Sequence, residues 1–184
     1  MMRVRIGHGK SAMFALVRHF YQLLLLQRAP QDFPASAFLL VLVLLLDLLA
    51  GFMINWAASG ELLYALLRTM LACGLILGGS FILLSLFGHK VRWLQTSIAL
   101  LGGDALLMLM AAPFFLVVTF GISNVFLEMS LLLFLVWQVA FVGHVWRHAL
   151  DTNMLLGIVI ALGLIVWYAY IEIQLLPFPS TAEA

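Results

Sequence analysis

Three charged residues, Asp47, Arg68 and Asp104, stand inside long apolar runs. At the centre of a lone membrane helix a charge costs about 2.5–3.5 kcal/mol on the insertion scale, so it normally faces other helices and finds a partner. Asp47 and Asp104 lie roughly ten residues into their runs, at similar depth, and Arg68 lies nearer the opposite end of its own. Counted at about 1.5 Å per residue, Arg68 is roughly 5–8 Å from either aspartate in depth, which an Arg side chain nearly covers. The expectation is a buried cluster in which Arg68 pairs with Asp47 or Asp104 and fixes how three helices meet. The chemical alternative is a proton- or ion-coupled pathway through the two carboxyl groups. Transporters of that kind carry broken helices. Pro113 and the Gly102-Gly103 pair beside Asp104 are the hints of one here.

His144 and His148 have the i, i+4 spacing that can hold a metal or one side of a haem site. They lack carboxylate or cysteine company, so no metal and no cofactor is expected. A pair of interfacial histidines flanking Arg147 is the commoner arrangement. Cys73 is the only cysteine, which excludes an intramolecular disulfide and any CxxC pair. Its expected role is as a small packing residue. Gly74 and Gly78 form a GxxxG, and Gly157 and Ala161 repeat the small-xxx-small pattern. Such positions let helix backbones approach closely, within the monomer or between copies. No GxSxG, HExxH, P-loop or dinucleotide fingerprint is present, so the chain reads as non-enzymatic. Basic residues are few and sit where topology needs them, which argues against nucleic-acid binding.

The elements that must position these residues follow from composition. Hydrophobic residues make up 65% of the chain and charged ones 9%. A soluble domain averages about 45–50% apolar and about 25% charged, so a soluble chain of this kind would have no polar coat. Spanning helices need about 20 apolar residues each. Five spans are expected, at about 37–56, 63–87, 93–120, 126–146 and 154–176, in an all-α integral membrane fold. Residues 10–28 are apolar but carry Lys10, Arg18, His19 and Arg28, and read as an amphipathic interfacial helix. The alternative is a segment packed under the bundle. Pro30 and Pro34 break it. The division is then 1–36 as a cytoplasmic segment, 37–176 as the membrane domain and 177–184 as a short tail. No cleavage site follows the basic start, so the N-terminus reads as mature protein.

Eight of the nine Lys and Arg residues fall in the N-terminal segment, the second-to-third loop and the fourth-to-fifth loop. The positive-inside rule therefore puts the N-terminus in the cytoplasm and the C-terminus on the far side. Trp56, Trp93, Trp146 and Trp167 fall near the expected span ends, as in an aromatic belt.

The stretch Gly88-His-Lys-Val-Arg-Trp-Leu-Gln-Thr leads from a basic loop into the third span. It resembles the corresponding segment of the Yip family, five-span Ypt/Rab-interacting membrane proteins with a bacterial branch. Gly88, Lys90, Trp93 and Gln95 match the pattern, and Pro113 matches a proline later in the same span. The resemblance covers the layout of roughly residues 15–176 and implies an all-α membrane fold, here in a bacterial inner membrane. It implies no catalytic residue. Eukaryotic members bind small GTPases through a longer N-terminal region with an acidic-aromatic motif, whereas this one is short and basic. The leading expectation is a membrane scaffold or assembly protein. It would act through helix contacts and a basic cytoplasmic face, with the bilayer, other membrane proteins or further copies as partners. The alternative is a small transporter or channel component using Asp47, Asp104 and Arg68. Converging polar groups around a cavity would favour transport, and a dry, tightly packed bundle would favour scaffolding.

Overall fold

The computed structural model describes residues 17–122 and 124–177. Five helices are long and apolar enough to cross a membrane: α2 (Ala37–Ser59), α3 (Leu62–Leu86), α4 (Trp93–Thr119), α5 (Val125–Ala149) and α6 (Met154–Leu175). The five spans expected from sequence lie within three residues of these bounds at every end. The chain is thus an all-α, multi-pass membrane protein. A shorter helix, α1, covers 17–24, and 3-10 turns cover Pro30–Asp32 and Lys90–Arg92.

Three of the five spans start at side-chain caps. Ser36, Asn124 and Asn153 each accept a hydrogen bond from a backbone N–H three residues on. That satisfies one of the donors a helix start leaves open. Gly88 ends α3 at φ 78°, a left-handed conformation that glycine adopts without a Cβ clash.

α4 is the hub and the most buried span, packing against α2, α3 and α5, while α6 packs chiefly on α5. It is one continuous helix through Gly102, Gly103 and Pro113, so the break at which those residues hinted is not there. The two glycines serve packing instead. A Cβ at Gly102 would meet the Phe20 ring, and one at Gly103 the Phe141 ring.

Of the helix expected over 10–28, residues 10–16 lie outside the described residues, and so does the tail from 178. Residues 17–24 are helical, with Val17 and Tyr21 exposed and Phe20, Leu23 and Leu24 buried. Their apolar face is thus covered by protein. Leu26, at φ 60°, ends the helix, and the chain returns to the bundle end through 27–36. Trp137 Nε1 donates to the Leu24 carbonyl at 3.1 Å, and Gln95 Nε2 to those of Gln31 and Phe33 at 3.2 and 2.9 Å. His144 Nε2 bonds the Arg28 carbonyl at 2.8 Å. Trp137 stands about 18 Å along α5 from its basic end. Irregular backbone at such depth is tolerated only where protein satisfies it, and these side chains do so.

Candidate functional site

The site begins with two aspartates brought face to face. Asp47 on α2 is 3% exposed, and Asp104 on α4 is half-buried. Their carboxyl groups lie in hydrogen-bonding contact. Asp47 Oδ2 accepts from the Cys73 thiol on α3 at 3.3 Å, and Asp104 Oδ1 accepts from Gln138 Nε2 on α5 at 3.0 Å. Asp47 Oδ1 is buried with no donor from another side chain or the backbone. A carboxylate only accepts, so two of them in contact need a proton to bond. One proton shared between Asp47 and Asp104 would supply such a donor. The similar depth read from sequence thus becomes a direct contact, and four helices supply its members.

Arg68 does something other than expected. It pairs with Glu172 on α6, Nη2 to Oε2 at 3.2 Å, and its Nη1 donates to the Tyr64 hydroxyl at 3.1 Å. The expected pair with Asp47 or Asp104 is corrected accordingly. The reason is depth. Arg68 and Glu172 stand about 9 and 5 Å from the same end of the bundle, closer in level than Arg68 is to either aspartate. Glu172 was missed from sequence although its depth matches.

Arg68 and Asp104 still meet across a cavity. It is half-open, about 380 Å³, and lies between α3, α4, α5 and α6. Arg68, Glu172, Asp104, Gln138 and Tyr168 supply its polar wall. Asp104 and Gln138 also line a second cavity of about 190 Å³, toward Ile54 on α2. The bonded pair is therefore the partition between two cavities.

The other sequence candidates have structural roles. His144 and His148 place their rings 4.7 Å apart, but His144 Nε2 bonds Arg28 and His148 Nε2 accepts from Arg147. Among the described residues no group of three or more His, Cys, Asp or Glu could hold a metal. Gly157 packs on the Gly143 carbonyl, and Ala161 is fully buried. Gly74 and Gly78 are exposed, and a Cβ on either would meet nothing within 4 Å. The packing glycine of α3 is Gly79, against the Tyr168 hydroxyl. Trp146 is 1% exposed, inside the bundle rather than in a belt. Among the residues that carry the Yip resemblance, Gly88 makes the turn, Trp93 bonds the Leu77 carbonyl and Gln95 holds the returning chain. The chain matches no family model, no curated protein and no solved structure.

Proposed function

We propose that the chain is a proton-linked transporter or channel component of a bacterial inner membrane, with its N-terminus cytoplasmic and its C-terminus opposite. The observation that carries this reading is that Asp104, which faces Asp47, lies in the wall of a cavity that also holds Arg68, Glu172 and Gln138. A proton held there is bonded to both groups, and Asp104, with Gln138, stands between two cavities. Loss of that proton leaves two carboxylates in contact, which favours their separation. Proton release and helix movement are thereby linked. Arg68, Glu172 and Gln138 offer polar contacts to a solute on one side.

The test is reconstitution of the full chain in proteoliposomes with an internal pH dye. Aqueous and organic fractions of a cell extract, added outside under a pH gradient, should move protons with at least one fraction. Asp104→Asn should abolish that movement and Glu128→Gln should not. Proteoliposomes that match empty vesicles with every fraction would end the reading.

The scaffold reading draws support from a different feature, the exposed Gly74 and Gly78 on α3, where a second helix can approach closely. Thiol cross-linking of Gly78→Cys between copies tests it. The Yip-like layout remains a proposal of ancestry, carried by the sequence match at Gly88, Lys90, Trp93 and Gln95.

A further inference from the structure

We infer that the cavity between α3, α4, α5 and α6 binds a single-chain zwitterionic phospholipid, with a phosphate and an ammonium group on its head. The inference rests on the cavity being the working site and names its ligand. Two features carry it.

The first is segregation of the lining along the helix axes. Measured from the helix ends at the basic loops, Trp146, Leu100 and Val142 stand about 5–11 Å in, and Asp104 and Gln138 about 17 Å. Arg68 and Glu172 stand about 27 Å in. An apolar half thus leads into a charged end. A wholly polar solute would leave the apolar half to poorly bonded water. A wholly apolar one would cover Arg68 and Glu172 without bonding them. An amphiphile suits both halves. At about 380 Å³ the cavity is at the lower end of ligand pockets, roughly 300–1,000 Å³, which suits one chain.

The second feature is the arrangement of charge at the Arg68 end of the lining. Arg68 and Glu172 form a pair of opposite sign, 3.2 Å apart. A phosphate can take Arg68 while an ammonium takes Glu172, so one ion pair is exchanged for two and no charge is stranded. An anionic head would displace Glu172 from Arg68 and leave it beside a second negative group, with Asp104 in the same cavity. The head then lies near the ends of α3 and α6 and the chain runs toward the midplane, as a lipid of that leaflet does. Of the neighbouring helix pairs around the cavity, α3 and α6 pack most loosely, which gives a chain a sideways entry.

The full chain in nonionic detergent is titrated with lysophosphatidylethanolamine, lysophosphatidylglycerol and glycerophosphoethanolamine, with adducts read by native mass spectrometry. The first should bind one to one, roughly tenfold or more tighter than the second, as a lost charged hydrogen bond implies. The third, a head without a chain, should not bind. The double change Arg68→Gln with Glu172→Gln should erase the preference, and Val142→Trp or, if that variant fails to fold, Leu164→Trp should block the chain. Equal binding of both lysolipids, or a preference that survives the double change, overturns the head assignment. Saturation by glycerophosphoethanolamine means a soluble solute and overturns the amphiphile. Binding without proton movement in proteoliposomes keeps this ligand and removes the transport reading. Proton movement without lysolipid binding does the reverse.

Discussion

The polar residues of this chain differ in what their removal exposes. Arg68→Gln strands Glu172 in a partly buried site, with the pair's side chains 34% and 18% exposed. Removal of one partner of a fully buried pair costs about 3–5 kcal/mol, and solvent access lowers that here to about 1–3 kcal/mol. Arg68→Gln with Glu172→Gln should be milder than Arg68→Gln alone by thermal unfolding in detergent. Asp47→Asn with Arg68→Gln should instead add to within about 0.3–0.5 kcal/mol, since the two residues share no partner. Asp47→Asn alone tests the held proton. The amide brings its own donor to the position where Asp47 Oδ1 has none, so it should cost less than about 1 kcal/mol. Asp47→Ala should cost clearly more, because it removes the Cys73 and Asp104 partner together. Depth along each apolar run put the two aspartates at one level, but the partner expected for them was Arg68 rather than each other. The same arithmetic applied to Glu172 would have found the partner of Arg68. Gln138 carried no such signal, because a lone amide in a span bears no charge that demands explanation.

At the scale of elements, the length and apolarity of the five spans made them readable, and caps at Ser36, Asn124 and Asn153 sharpen three starts. Which small residues pack was not readable, because spacing does not say which face of a helix meets protein. Gly103→Ala should destabilise by about 1–3 kcal/mol, since a methyl group there meets the Phe141 ring. Gly74→Ala should be neutral or stabilising by up to about 0.5–1 kcal/mol, because its face is open and alanine is the better helix former. Unfolding midpoints of the two variants, measured side by side, separate packing glycines from merely small ones. The N-terminal segment is held by donors from α4 and α5. Trp137→Phe and His144→Phe each leave one carbonyl unbonded and Gln95→Leu leaves two, at a cost of about 1–3 kcal/mol per carbonyl. Amide exchange over residues 20–36 should rise in all three, with α6 unchanged. Equal protection in variants and wild type would mean that burial of Phe20, Leu23 and Phe33 alone holds the segment.

For the whole molecule, the described basic side chains of the loops and turns gather at one end of the bundle. There Arg92 bonds the carbonyls of His148 and Ala149 and pairs with Asp151 at 2.7 Å. The proposed orientation puts this end in the cytoplasm. An impermeant thiol reagent added to intact cells should label Ser59→Cys, and should label Lys90→Cys only after lysis. The opposite pattern would invert the protein in the membrane. Overall architecture was legible because lipid restricts a chain to few solutions. Activity was not, because the cavity is assembled from one face of each of four helices, and no run of sequence contains it. The N-terminal segment adds a constraint on biogenesis. The Arg28 carbonyl and its His144 partner are 116 residues apart in the chain. At roughly 5–20 residues per second, about 6–23 s of synthesis separate them, so the segment is made first and docked last. Until α5 arrives, the Leu24 and Arg28 carbonyls must be served by water at the membrane surface. Nascent chains stalled before residue 137 should therefore leave residues 20–33 open to protease, and longer ones should protect them.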